Sequence, residues 1–244
     1  MTTQDSLERE LIISEVFGPT LQGEGKSIGK PAMFVRLGLC NLDCSWCDTP
    51  FTWDWTGKNG TKYDKKKELS HHSVASVIEQ LDTYRHCRRL VISGGEPLVQ
   101  SKGVSSLAIA YTATGGVVEV ETNGTMKPPA EIADIVQWNV SPKLESSGVD
   151  LSKRRSIEAL QAFARTADHS FKFVISDLDS DITEVVGLCK QAGIDYDNVY
   201  LMPEGRTAGE VNSKLQALFE VASQLGMNVT TRLHVLAFGD RRGV

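Results

Sequence analysis

Three thiols, Cys40, Cys44 and Cys47, fall within the run Cys40-Asn41-Leu42-Asp43-Cys44-Ser45-Trp46-Cys47-Asp48-Thr49. Three residues and then two separate them, so a curled backbone can bring all three to one metal centre. Iron–sulfur clusters are held by cysteine thiolates, usually four, so three leave one iron without a protein ligand. An open coordination position is where chemistry takes place, as at a catalytic zinc. The same thiols could instead hold a structural zinc, with His71 or His72 as fourth ligand. Zinc sites usually carry a second Cys or His pair, and none follows here.

The elements that must position these thiols follow from the apolar pattern. Leu11 to Phe17 reads as a first strand. Pro19 and the glycines at 18, 23, 25 and 29 read as a long turn. Ala32 to Leu39 is a second strand that delivers the chain into Cys40, and parallel α/β folds place their sites at the carboxyl ends of strands. The stretch from Pro50 to Leu69 lacks periodicity, and loops this long are uncommon unless functional or disordered. Trp53 and Trp55 within it could stack on a substrate or form a small local cluster. A helical period then places Val74, Val77, Ile78 and Leu81 on one face, with Ser70 as the expected N-cap.

Strand and helix alternate thereafter. Strands are expected at 90–93, 117–121, 136–140, 171–175 and 199–202. Helices are expected through Leu107, near Ile132, through Ile182 to Cys189 and through Val211 to Ala222, with a final apolar run from Val229 to Phe238. This alternation argues a parallel sheet with helical crossovers. About eight strand candidates in 244 residues fall near the low end for a complete eight-fold barrel. The expected fold is therefore an α/β, incomplete TIM-like barrel in a single domain spanning 1–244, with residues 1–9 loosely held.

Composition excludes several function classes. Hydrophobic residues make up 41% and charged residues 23%, ordinary globular usage. A net charge of −5 argues against a nucleic-acid surface. The short basic runs Lys65-Lys66-Lys67, Arg88-Arg89, Lys153-Arg154-Arg155 and Arg241-Arg242 read as solvated faces. Five cysteines, three of them crowded, do not read as a disulfide framework and point to a reducing compartment. Neither a signal peptide nor an apolar run long enough to span a membrane is visible, so a cytoplasmic protein is expected. Cys87 and Cys189 read as small buried hydrophobes.

Polar residues recur at the strand ends. The third strand ends in Ser93-Gly94-Gly95-Glu96-Pro97, whose glycines let backbone amides approach a ligand and whose carboxylate can pair with an ammonium. The fourth ends in Glu121-Thr122-Asn123-Gly124, the fifth in Ser141-Pro142-Lys143 and a late one in Met202-Pro203-Glu204-Gly205. Each could be a loop opener, but their recurrence at one end of successive strands favours a shared ligand.

Cys-x3-Cys-x-aromatic-Cys, with Trp46 as the aromatic residue, and the Gly94-Gly95-Glu96-Pro97 stretch resemble the motifs of the radical S-adenosylmethionine (SAM) superfamily. Leu21-Gln22-Gly23-Glu24-Gly25, Arg36, Cys47-Asp48-Thr49, the three later strand ends and the run Leu233 to Val244 together resemble the 7-carboxy-7-deazaguanine synthase family. The likeness covers nearly the whole chain from residue 11 onward. Two positions depart from it: Ser93 stands where the family usually has threonine, keeping the hydroxyl, and the 50–69 loop has no assigned counterpart.

The resemblance implies a carbon–nitrogen lyase that converts 6-carboxy-5,6,7,8-tetrahydropterin to 7-carboxy-7-deazaguanine with loss of ammonia, on the queuosine and 7-deazapurine route. It implies a [4Fe–4S] cluster on Cys40, Cys44 and Cys47 that splits SAM to a 5′-deoxyadenosyl radical, which takes hydrogen from C6 of the substrate. Trp46, Cys47, Asp48, Gly95, Glu96, Ser141, Pro142, Lys143, Met202, Pro203, Glu204 and Gly205 would then contact the SAM cofactor. Leu21, Gln22, Gly23, Glu24, Arg36, Ser93, Glu121, His234 and Val244 would contact the pterin, Arg36 through its carboxylate, and Thr49 would ligate Mg2+. A flavodoxin or ferredoxin donor and a homodimer are likewise implied, with neither nucleic acid nor membrane as partner. The alternatives are a glycyl-radical-enzyme activase, which shares the cysteine motif but has no reason to carry Gln22-Gly23-Glu24, and a non-enzymatic zinc or electron-transfer protein.

Overall fold

A computed structural model describes residues 3–84 and 86–244, and the chain separates into two compact units. The first contains the chain up to Thr20, Pro31–Thr122 and Pro128–Gln137; the second contains Leu21–Lys30, Asn123–Lys127 and Trp138–Val244.

In the first unit the elements are α1 (Thr3–Leu7), β1 (Glu10–Leu21, up to its last residue but one), β2 (Pro31–Leu37), α2 (Lys65–Glu68), β3 (Ser70–Ser73), α3 (Val74–Asp82), β4 (Arg89–Gly94), α4 (Ser101–Ala113) and β5 (Val117–Thr122). Their strands run in the order β3-β1-β2-β4-β5, with β2, β4 and β5 parallel and β3 antiparallel to β1. Val35, Leu37, Leu90, Val91 and Ile92 are fully buried, as befits parallel strands covered on both faces, which read as near-continuous apolar runs.

The second unit holds β6 (Gln137–Val140, from its second residue), α5 (Leu151–Arg154), α6 (Ile157–Phe163), β7 (His169–Ile175), α7 (Leu178–Ala192), β8 (Val199–Pro203), α8 (Ala208–Leu225), β9 (Asn228–Val229) and α9 (Leu233–Phe238). The order β6-β7-β8-β9 is parallel throughout. Helix ends are set locally. Asp177 caps α7 through Ser180 N, Thr207 and Glu210 form a capping box on α8, and Gly193 and Gly226 close the two helices at φ 68° and 72°. Trp138 and Phe163, both fully buried, meet edge to face at 5.1 Å in the core.

The α/β class and the parallel pairing of β2, β4 and β5 and of β6 to β9 agree with expectation, and Cys87 and Cys189 are buried as anticipated. Several local expectations are corrected. β1 continues through Pro19 instead of turning there; β3 pairs only with Glu10–Ile13, so the missing proline N–H falls beyond that ladder. The N-cap of α3 is Ser73, whose hydroxyl accepts from Ser76 N, while Ser70 opens β3. The run holding His234 is a short helix, not a strand, an ambiguity that a brief apolar run cannot resolve by period. Turns, not a helix, surround Ile132, closed by Ile132 N to Pro129 O and Ile135 N to Ile132 O. The N-terminal stretch expected to be loose forms α1 from Thr3, and its first two residues lie outside the described ones.

Three arginines of the basic runs are not simply solvated, among them Arg155, which pairs with Glu184. Arg89 reaches the buried Glu119 at 2.9 Å, and Arg154 is 6% exposed against Glu184. Lys65, Lys66 and Lys67 are exposed as expected. Among the described residues no helix is long and apolar enough to cross a membrane. Ser73→Ala should lower unfolding stability by about 1 kcal/mol in a denaturant titration, the usual cost of a lost N-cap, while Ser70→Ala should cost less than half of that.

Candidate active site

In the first unit β2 ends at Leu37, and the chain reaches the cysteines through Gly38 and Leu39. Leu39 has φ 72°, a left-handed conformation that non-glycine residues seldom adopt. Both faces of this turn are fixed: Leu39 N donates to Thr52 O at 2.8 Å, and Glu96 N donates to Leu39 O at 2.8 Å. The second bond comes from the Gly94-Gly95-Glu96 turn after β4. A Cβ on Gly95 would stand 2.0 Å from Leu39 O and 3.0 Å from Cys40 Cβ, and one on Gly94 2.1 Å from Leu37 O. Only glycines let this turn lie against the head of the cysteine loop.

All three loop cysteines are free thiols, Cys44 buried and Cys40 and Cys47 partly so. Burial pushes Cys40 up to about 12, offset by Leu42 N–H and reinforced by the negative charges of Glu96, Cys47 and Cys44. Burial likewise raises Cys47, with Asp48 adding to it and the Trp53 N–H opposing it. A bound iron ion reverses this, because a coordinating thiol is deprotonated outright. Among the described residues no three His, Cys, Asp or Glu side chains are grouped on a single ion site. A four-iron cluster takes one thiolate per iron, so three soft sulfurs on one loop, two of which add their charge at Cys40, fit a cluster. His71 and His72 lie on β3, where His71 pairs with Glu10 and His72 with Ser70 Oγ.

At the carboxyl ends of β2, β4 and β5 three polar side chains form a row. Arg36 is paired in register with Ser93, and Ser93 Oγ donates to Glu121 Oε2 at 2.6 Å. Arg36 Nε donates to Glu15 Oε1 at 2.6 Å, and its guanidinium lies over the rings of Phe17 at 5.4 Å and Phe51 at 6.0 Å. Glu15 had no signal in the sequence. Glu96 is fully buried, its Oε1 accepting from Leu98 N and from Thr122 Oγ1. Trp46 is half-buried and Asp48 exposed. The Thr49 carbonyl accepts from Thr52 N and Oγ1, and its hydroxyl, 3.8 Å from Cys47 Sγ, is the hard oxygen it can offer a cation.

The second unit gathers the Leu21 to Gly25 segment around α9. Gln22 is buried, with its backbone N donating to Lys30 O and its Oε1 accepting from Glu24 N. Leu233 N donates to Gly23 O at 2.8 Å, and a Cβ on Gly23 would fall 2.2 Å from His234 Nδ1. Glycine at 23 is what allows the imidazole its place. The Glu24 carboxylate is shared by Lys172 and by Arg232 at 2.9 Å, with His234 Nε2 at 3.9 Å. Burial alone would raise its pKa, but Lys172, then Arg232 and His234, hold it far below its ordinary value of 4.5. Arg232 also donates to Gly205 O at 2.7 Å, which ties the end of β8 to this ion group. Lys214 Nζ holds Glu204, and Lys143 Nζ folds back onto Ser141 O and Oγ. Met202, Pro203 and Pro142 are buried, Leu21 is exposed, and Val244 is half-exposed after α9. Lys172 and Arg232 were missed in the sequence, although a charge inside the apolar run 171–175 is itself a sign that a buried partner exists.

Glu24→Gln should destabilise the chain by about 3 kcal/mol or more at neutral pH, since it leaves two buried cations without a counter-charge. A depressed carboxylate contributes its stability above its unfolded pKa and loses it as the pH falls through the folded one. The gap between wild type and variant should therefore be full above pH 4.5 and close below it, as read by thermal melts across pH.

Comparison with known proteins supplies the relatives. The family model of the Radical SAM superfamily matches residues 35–208. The 7-carboxy-7-deazaguanine synthase of Pyrobaculum aerophilum is 35% identical over 233 residues, covering 95% of this chain and 96% of its own length. That of Halobacterium salinarum is 34% identical over 251 residues, covering 94% and 91%. The crystal structure of QueE from Escherichia coli superposes with a TM-score of 0.73 at 23% identity, covering 96% of this chain and 99% of its own, a likeness of fold. With a superfamily match over most of the sequence and relatives about a third identical nearly from end to end, this chain belongs to the 7-carboxy-7-deazaguanine synthase family of radical SAM enzymes.

Proposed function

We propose that the chain, working as a single radical-SAM domain, converts 6-carboxy-5,6,7,8-tetrahydropterin to 7-carboxy-7-deazaguanine with loss of ammonia, a lyase step toward queuosine and other 7-deazapurines. The observation that carries this reading is the row Arg36, Ser93, Glu121 at three parallel strand ends, in the same unit as the loop bearing Cys40, Cys44 and Cys47. When bound, a [4Fe–4S] cluster on these cysteines supplies the electron that cleaves SAM and so the radical chemistry.

The chain's own residues bind and orient. Arg36 takes the substrate carboxylate through its guanidinium, which Glu15 fixes in plane through Nε. Ser93 and Glu121 meet the donor and acceptor edge of the pterin as a hydrogen-bonded pair. Gln22, the backbone of Leu21 and Gly23, and His234, whose imidazole packs against Gly23, are the substrate contacts the second unit supplies in this reading. Glu24 keeps this segment in shape through Lys172 and Arg232, and Val244 completes the substrate contacts. Gly95, Glu96, Trp46 and Asp48, with Ser141 to Lys143 and Met202 to Gly205, receive SAM. The Thr49 hydroxyl would hold Mg2+, which would supply a Lewis acid for the substrate carboxylate. The enzyme works in the cytoplasm as a homodimer, with a flavodoxin or ferredoxin as electron donor.

Anaerobic incubation of the iron-loaded protein with reductant, SAM, Mg2+ and 6-carboxytetrahydropterin should yield 7-carboxy-7-deazaguanine by mass spectrometry. SAM cleavage without any deazapurine would overturn the substrate assignment and leave the superfamily standing. Arg36→Ala should raise KM by about ten- to a hundredfold, the worth of a hydrogen bond to a charged group, and omission of Mg2+ should slow turnover.

A further inference from the structure

We propose that Trp53 is a positioning residue that sets the reduction potential of the cluster through a hydrogen bond from its indole Nε1–H to Cys47 Sγ, at 3.3 Å. The inference rests on the cluster assignment above. An indole N–H can only donate, so in this contact the sulfur is the acceptor, the role a thiolate keeps when it ligates iron. Trp53 and Cys47 are six residues apart in the sequence, and the intervening turn has a mount of its own.

That mount is the first part of the long loop. Pro50–Thr52 form a single 3-10 turn, and the buried Thr52 binds Thr49 O through its hydroxyl while its carbonyl accepts Leu39 N. Trp53 N closes the turn on Pro50 O at 3.1 Å. The next residue, Asp54, is 1% exposed, and its carboxylate accepts backbone N–H groups from Thr56, Gly57, Lys58 and Asn59. The segment so gathered returns to the cysteine loop, where Asn59 Nδ2 donates to Cys44 O at 3.0 Å and Lys58 pairs with Asp43. Trp53 is therefore fixed on both sides while its single donor points at a cluster ligand.

The sign of the effect follows from charge. Reduction adds an electron to the cluster and its sulfurs, so an N–H dipole aimed at one sulfur stabilises the reduced form more than the oxidised one. Hydrogen bonds to the sulfurs are among the terms that set such potentials. Losing the bond should make the cluster harder to reduce.

The test is an EPR-monitored redox titration of reconstituted wild type, of Trp53→Phe, and of protein carrying 3-(3-benzothienyl)alanine at position 53, which keeps the ring shape and replaces N–H by sulfur. At one fixed ambient potential, both changes should lower the ratio of reduced to oxidised cluster by about three- to tenfold, tenfold being about 59 mV for one electron. An unchanged ratio in the benzothienyl protein at equal iron content would overturn the proposal. If Trp53→Phe fails to retain iron, the isosteric protein decides alone. A wild-type protein that takes up no four-iron cluster would remove the cofactor assignment itself, an outcome distinct from an unmoved potential.

Discussion

One left-handed peptide governs how this chain presents its sulfurs. At Leu39 the backbone leaves a buried parallel strand and must reverse within two residues to begin a loop, and a φ of 72° accomplishes it at a conformational cost. Such a residue persists only where its surroundings over-determine it. Here Thr52 O grips the N–H and Glu96 N grips the carbonyl, so the turn after β4 and the start of the long loop both fasten the same residue. The glycines at 94 and 95 are required by that fastening as much as by any ligand, since a side chain at either would collide with backbone oxygen.

The second unit uses a different device, a buried ion group. Glu24 is 13% exposed, and Lys172 and Arg232 are less exposed still. A lone buried charge is very costly, and three together repay this only when geometry and hydrogen bonds are complete. Arg232 extends the group to Gly205 O and Gly25 N binds Thr230 Oγ1, so the segment before Ile28, the end of β8 and the start of α9 are held by one set of polar contacts. The Leu21 to Gly25 segment is thus set by electrostatics, where the cysteine loop is set by backbone hydrogen bonds.

Much of this was legible in the sequence because the chemistry-bearing residues sit at strand ends and the strands announce themselves by apolar runs. Cys40, Gly94-Gly95-Glu96 and Glu121 were placed correctly at the ends of β2, β4 and β5. The partners were not legible: Glu15, Lys172 and Arg232 lie 21, 148 and 208 residues from the groups they hold, and no local pattern encodes a pairing at that range. The run at His234 was misassigned because six apolar-rich residues satisfy either period. Arg89 and Arg154 were misassigned because a basic run looks the same whether its counter-charge is solvent or a buried glutamate. In the long loop Trp53 reads from sequence as a stacking surface or part of a local cluster, and neither reading carries its indole N–H contact with Cys47 Sγ.

The carboxylate of Asp54 divides that loop into two regimes of tolerance. Residues 54–59 are threaded so tightly around one side chain that adding or removing a single residue would misplace the contacts at Asp43 and Cys44. From Gly60 to Lys62 the chain is exposed and carries no such duty, and lengthening a surface loop costs little entropy. An affinity tag or reporter peptide spliced in there would sit close to the metal centre while leaving its scaffolding intact.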